Sequence, residues 1–322
     1  MVYNNFPHSE RKISLLGYGA WGIGGSMWVG AKDSESKQVL HRAIEEGINF
    51  FDSALAYGNG HSEKLLGEVE RESGQTLFIT SKIPPKNYQW PAKDNSSLQD
   101  AFPKDWIITM TEKSLKNCNR EYLDLQQFHV WSDNWADEEE WQEAIEQLKR
   151  EGKIKFFGIS LNDHRSDNFF KAGETGLIDS FQVIFNIFDQ SAAEHLFPFC
   201  KEKKISVIAR VPFDEGALTG NIEPDTQFPT NDFRNNYFRA DRKKEVWERI
   251  QKICADIDCE IDDLPEIAIR FIISYEAVTT VIPGMRKMKH LLSNLENIKK
   301  GPLAKEVMEK LKKHGWQRNF YL

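Results

Sequence analysis

The chain has 322 residues, of which 40% are apolar and 28% charged, and it carries a formal net charge of −7. This length can hold one barrel domain of about 250 residues or more, and the composition is that of an ordinary soluble domain. The acidic balance lacks the basic excess of a nucleic-acid binder, and no run approaches the ~18 apolar residues of a membrane span.

The opening segment, MVYNNFPHSERKISLL, is polar and reads as neither a signal nor a transit peptide, so a cytoplasmic protein is expected. An apolar run at Ile13–Gly17 comes next, then an amphipathic stretch over Ser34–Glu46 that stops at Gly47. The second run is Ile48–Ala54, and Ser62 is placed to cap a helix over Glu63–Glu70. Leu77–Ile83 is the third run, followed by a helical stretch at Trp106–Lys116. The fourth run, Asp124–Val130, precedes Glu138–Glu151, where Trp141, Ile145 and Leu148 share one stripe. Ile154–Ser160 and Phe181–Ile187 are the fifth and sixth runs. Ala192–Lys203 then reads as a helix interrupted by Pro198. After the seventh run, Ile205–Val211, a long polar loop spans about 219–242. Pro265 opens a helix over Glu266–Tyr275, and Ala277–Ile282 is the eighth run.

Eight short runs rich in Ile, Val and Phe, alternating with amphipathic stretches, predict an α/β fold of the closed (β/α)8 TIM-barrel type. One barrel domain over 1–322, with a C-terminal helical extension, accounts for the pattern. Four scattered cysteines, Cys118, Cys200, Cys254 and Cys259, predict reduced thiols and no zinc site. Gly17, Gly19 and Gly22 match GxGxxG by spacing, but the next segment, GGSMWVGAKD, reads as loop, where a Rossmann turn needs a helix.

Barrel enzymes carry their working groups where strands end. Here Asp52, Lys82 and His129 stand near the ends of runs two, three and four, and Tyr57 lies in the loop after run two. An ionisable group in an apolar strand needs a partner. A satisfied core ion pair would explain Asp52 and Lys82 alone, whereas four such residues at neighbouring strand ends point to a site.

From about Ile13 to Leu295 the chain resembles the aldo-keto reductase superfamily. The stretches that carry the resemblance are GINFFDSALAYGNGHSEKLLG, FITSKI, YLDLQQFHVW, GKIKFFGISLND, FQVIFN, VIARVPFDEGALTG and TVIPGMRK, in the family's order. The resemblance implies an oxidoreductase that reduces an aldehyde or ketone, with Asp52, Tyr57, Lys82 and His129 as its catalytic tetrad. Tyr57 would donate the proton, Lys82 would lower its pKa by stabilising the phenolate, Asp52 would hold Lys82, and His129 would orient the carbonyl.

The resemblance also implies a cofactor site. Ser160, Asn162 and Gln182 would hold the nicotinamide. The Arg210–Gly220 segment, with Pro212, Phe213, Gly216, Leu218 and Gly220, would form the pyrophosphate loop. Gly284, Arg286, Lys287, His290 and Asn294 would meet the adenosine phosphate and adenine. Ala20 and Trp21 would lie under the nicotinamide end, and Trp21, Tyr57 and Trp131, with Trp90 as a further candidate, would wall the substrate pocket. The two cations at 286–287 favour a 2′-phosphate, hence NADPH over NADH; solvated charges at a helix start are the alternative. No metal, membrane or nucleic-acid partner is implied. A cofactor-binding regulatory or sensor protein on the same barrel is the second functional reading. A metal-dependent isomerase would need more clustered ligands than Asp52 and His129.

Overall fold

The computed structural model describes residues 1–25 and 27–321; Ser26, within the stretch read as a loop, and Leu322 lie outside the described residues. The strands are β1 (Tyr3–Asn5), β2 (Lys12–Ser14), β3 (Tyr18–Gly19), β4 (Phe50–Asp52), β5 (Phe78–Ile83), β6 (Leu123–Phe128), β7 (Ile154–Ser160), β8 (Ser180–Ile184), β9 (Ser206–Arg210) and β10 (Val278–Val281). The helices are α1 (Asp33–Glu45), α2 (His61–Ser73), α3 (Leu98–Ala101), α4 (Lys104–Cys118), α5 (Glu139–Arg150), α6 (Phe170–Glu174), α7 (Leu196–Lys203), α8 (Arg234–Tyr237), α9 (Arg242–Ile257), α10 (Leu264–Ile273), α11 (Met288–Lys299) and α12 (Lys305–Leu311).

Strands β3 to β10 form one parallel sheet in chain order. Its two edges meet through the bridges Leu16–Val281 and Gly19–Gly284, so the sheet curls into a (β/α)8 barrel. The predicted first strand, Ile13–Gly17, divides. Its start joins β2, which pairs antiparallel with β1, and the barrel strand itself begins at Tyr18. The hairpin closes the barrel floor because Phe6 and Ile13 pack with Phe50, Phe78, Leu125, Ile208 and Ile282.

That floor fixes which side chains reach the opposite end. Side chains alternate across a strand with period two. Once Phe50 points inward, so does Asp52; once Phe78 does, so do Thr80 and Lys82. The same parity carries Leu125 to Gln127 and His129, and Ile208 to Arg210. The interior is thus apolar below and polar above. The intervening residues, such as Phe51 and Ile79, belong to the larger core between sheet and helices.

Two helix expectations are corrected, and the loop read over 219–242 holds a short helix. Ser62 is not a cap: α2 begins one residue earlier after Gly60, and the Ser62 hydroxyl instead donates to the Ala20 carbonyl at 3.0 Å. The helix read over Ala192–Lys203 breaks at Glu194–His195, not at Pro198. Proline falls in the first turn of α7, where a missing N–H costs no internal bond. The long loop at 219–242 contains α8, and Phe233 within it packs against Trp21 and Trp28 at 5.0 Å each. Among the described residues, no helix is long and apolar enough to cross a membrane.

Candidate active site

A cavity of about 1110 Å³ opens at the ends of the parallel strands. Its floor carries Asp52, His129, Ser160, Gln182 and Arg210, each from a strand or the residue after it, and Tyr57 leans over it from the loop after β4. The structure therefore brings together the residues picked out at the strand ends.

Lys82 lies fully buried beneath this floor. Its ammonium donates to Asp52 Oδ2 at 2.6 Å, to the Ser53 carbonyl at 2.8 Å and to Tyr57 Oη at 3.4 Å. Gln182 Nε2 donates to the other Asp52 oxygen at 2.7 Å, so the carboxylate is held from both sides. Burial lowers the Lys82 pKa while Asp52 opposes that shift.

The Tyr57 loop is tied close to the barrel. A Cβ on Gly58 would lie 2.0 Å from the Gly24 carbonyl oxygen, so the backbones of the loops after β3 and β4 touch here. Burial, reinforced by Asp52, pushes the Tyr57 hydroxyl well above the ordinary phenol range. The expected net lowering is not seen: desolvation of the would-be phenolate outweighs the opposing Arg210 charge. The hydroxyl accordingly keeps its proton. His129 is driven the other way. Burial first, then Lys82 and Arg210, holds its pKa well below the usual histidine range, so the imidazole is neutral. Its ring stands edge-on to Tyr57 and, at 4.4 Å, to Trp90.

One arm of the cavity is apolar, walled by Trp21, Trp28, Leu55, Trp90, Trp106 and Met110. Trp131 is not part of that wall. It is fully buried with Trp135 and Trp141, at 5.7 and 5.5 Å. The reason is local. Asn162 and Asn168 both donate to the Trp131 carbonyl, at 2.8 and 2.6 Å, and Asn162 Oδ1 accepts from its amide at 3.2 Å, which turns the chain behind the strand. Asn162 lines the cavity, but both its amide hydrogens are spent on this staple and on the Ala92 carbonyl.

The other arm runs past Pro212, Phe213 and Gly216 to Gly284, Arg286, Lys287, His290 and Asn294. Ala20, Leu218 and Gly220 lie behind the wall. Ala20 is buried and donates its N–H to the Asp52 carbonyl, Leu218 is core, and Gly220 packs on Ile261. Arg210 does not extend toward this arm. It donates to Asp163 Oδ1 at 2.8 Å and to the Leu161 carbonyl at 2.9 Å, beside the tetrad. Asn294 is buried and its Nδ2 has no hydrogen-bond partner among the described residues. Among the described residues, nothing comes within 4 Å of where a Cβ on Gly284 would lie.

The first turn of α11 has no acidic residue, and Arg286, Lys287, Lys289 and His290 cluster there. Helix N-termini favour anions, so four basic groups at one leave it suited to an anionic ligand. Burial and the three neighbouring cations depress the His290 pKa.

Sequence reasoning passed over Trp28, Asp163, Glu215 and Tyr321, all on the cavity wall. Glu215 lies in the quoted VPFDEGALTG stretch, and the neighbouring Gly216 was the only hint. Tyr321 meets it from 106 positions away, which no local pattern encodes.

Comparison with known proteins agrees with this geometry. A model of the aldo/keto reductase family matches residues 15–315. The aldo-keto reductase YhdN of Bacillus subtilis (strain 168) is 28% identical over 292 residues, covering 89% of this chain and 86% of its own. The NADH-specific methylglyoxal reductase of Escherichia coli (strain K12) is 25% identical over 308 residues, covering 89% and 90%. The glycerol dehydrogenase of Gluconobacter oxydans superposes with a TM-score of 0.77 at 24% identity, over 97% of this chain and 94% of its own, and so shares the fold.

The buried pair makes a stability prediction. Asp52→Asn leaves Lys82 as an uncompensated buried cation and should cost about 3–5 kcal/mol in chemical denaturation. Adding Lys82→Met should recover most of that loss; equal stability of the single variant and the wild type would show that the pair does not bear on the fold.

Proposed function

We propose that this chain, which belongs to the aldo/keto reductase family, is an NADPH-dependent oxidoreductase that reduces an aldehyde or ketone to the alcohol, with Tyr57 as proton donor. The observation that carries the reading is the buried Lys82 ammonium, shared between Asp52 at 2.6 Å and the protonated Tyr57 hydroxyl at 3.4 Å.

A reduced nicotinamide cofactor, when bound, supplies the hydride that goes to the carbonyl carbon. Tyr57 gives its proton to the carbonyl oxygen as negative charge builds there. Its raised pKa means that the acid form waits in the site, and Lys82 stabilises the phenolate left behind. Asp52, gripped by Gln182, keeps Lys82 at that spot. His129, held neutral, can donate to the same carbonyl oxygen and orient it. The apolar arm suits a carbonyl that bears an aromatic or extended apolar group, with Trp90 against His129 as the gatepost.

The lining of the cofactor arm suits a dinucleotide in its chemistry. Ser160 and Gln182 would meet the carboxamide, and the unpartnered Asn294 amide would meet the adenine. The basic start of α11 would take a phosphate on the ribose, which supports NADPH over NADH. A relative named as NADH-specific means that family membership alone leaves this choice open.

Two measurements test the reading. Tyr57→Phe should abolish reduction of an aromatic aldehyde while its NADPH dissociation constant stays near the wild-type value; near-normal turnover would sink the proton-donor role. Lys287→Met should weaken NADPH about tenfold, ~1.4 kcal/mol, and leave NADH affinity almost unchanged. An equal effect on both cofactors would remove the argument for the 2′-phosphate.

A further inference from the structure

We propose that the segment Trp316–Tyr321 is a working part of the cofactor site, with Arg318 and Tyr321 as positioning residues that hold the loop Val211–Gly220 in its left-handed backbone shape. The inference rests on the proposed reductase function, in which this loop faces the cofactor.

The loop has a conformation that its own residues do not favour. Val211, Asp214 and Glu215 have φ of 55°, 50° and 56°, and none is glycine. A β-branched valine is strained in that region and a glutamate is uncommon there, while an aspartate is better tolerated. Such a shape persists only when contacts from elsewhere impose it. The two acidic residues have those contacts. The buried Asp214 carboxylate takes the Arg318 guanidinium and, at 3.4 Å, the Tyr237 hydroxyl. The Glu215 carboxyl takes the Tyr321 hydroxyl.

The tail that supplies these groups is itself anchored. The Trp316 amide donates to the Phe188 carbonyl at 2.7 Å, and Arg242 Nη1 donates to the Phe320 carbonyl at 2.8 Å. The Arg318 guanidinium lies over the rings of Trp316, Phe320 and Phe188, at 4.3, 4.7 and 5.3 Å. Its Nε and Nη1 are buried without hydrogen-bond partners among the described residues, so Asp214 carries most of its neutralisation. Aromatic contacts thus hold Arg318 independently of the loop.

The contact bears on binding because Glu215 leads directly into the cavity wall. Gly216, at φ 108°, and Thr219 lie on that wall, and their direction is set by the turn at 214–215. If either acidic residue relaxed to the right-handed region, the backbone at Gly216 would swing off the wall. Glu215 also faces the cavity with Asp163 and Arg210 nearby, and burial pushes its carboxyl up to about 8. A neutral Glu215 on Tyr321 presents no negative charge to a phosphate at neutral pH.

The test uses the full chain with Arg318→Met, Arg318→Lys and Tyr321→Phe. NADPH dissociation constants are measured by calorimetry, thermal melts without cofactor, and carbonyl kinetics at saturating NADPH. Arg318→Met should weaken NADPH by about tenfold or more and Tyr321→Phe by about threefold, with the KM for the carbonyl changed less than about twofold. Arg318→Lys, which keeps the charge, should recover part of the loss. If Arg318→Met does not fold, Tyr321→Phe, which removes one hydroxyl, decides alone. Wild-type NADPH affinity in folded Tyr321→Phe and Arg318→Met would overturn the inference and leave the reductase reading intact. A wild type that binds no NADPH would overturn both.

Discussion

A lysine ammonium sits inside the barrel with no exposure to water, and the site is arranged around that fact. Such a charge is tolerated only if it is paired and hydrogen-bonded. Asp52, on the neighbouring strand, provides the pairing, and the Ser53 carbonyl accepts a further hydrogen bond from the ammonium. What remains of the ammonium faces the Tyr57 hydroxyl. The arrangement that satisfies a structural demand thereby sets a cation beside an acid. In the proposed function, burial keeps that acid protonated until a substrate arrives, and the lysine then favours the phenolate that proton transfer leaves.

The barrel makes this placement possible through simple parity. Phe6 and Ile13 of the N-terminal hairpin seal one end with the lower inward-facing residues. Above them, strands β5 to β8 present Thr80, Gln127, Gly158 and Ser180, where Gln127 donates to Thr80 at 2.8 Å. Two further on come Lys82, His129, Ser160 and Gln182. Loops then complete what strands begin. The turn at Gly58 brings Tyr57 inward, and the long loop closes over Trp21 and Trp28 through Phe233. Arg234, paired with Asp232, lies over the Trp28 ring at 4.7 Å and fastens that contact.

The clustering of Asp52, Tyr57, Lys82 and His129 was legible in the sequence because each stands at a strand end or in the first loop after one, where short-range pattern and family resemblance coincide. The strand runs were also legible, with the fifth matching from end to end. The first was not, since a single apolar stretch, Ile13–Gly17, serves both the floor hairpin and the barrel seam. Residues whose roles depend on loop direction were harder. Trp131 stands two positions after the histidine, yet two asparagines from later in the chain turn it into the core. Trp90 was only a candidate and stands against His129. The net direction of the Tyr57 shift was not legible, because burial, which a sequence does not display, raises its pKa. Asp214 and Glu215 were given no role of their own within the Arg210–Gly220 segment because their partners, Arg318 and Tyr321, lie more than a hundred positions away.

In the proposed function, this cavity passes a hydride from NADPH to a carbonyl carbon. The most direct measurement is transfer of deuterium from NADPH labelled at C4 of the nicotinamide to an aromatic aldehyde, with the alcohol examined by NMR. Deuterium is expected on the carbon that bears the hydroxyl, at the rate at which the cofactor is consumed. Binding of NADPH with no labelled alcohol from any of a series of aldehydes and ketones, or an alcohol whose carbon carries solvent hydrogen, would contradict hydride transfer in this site.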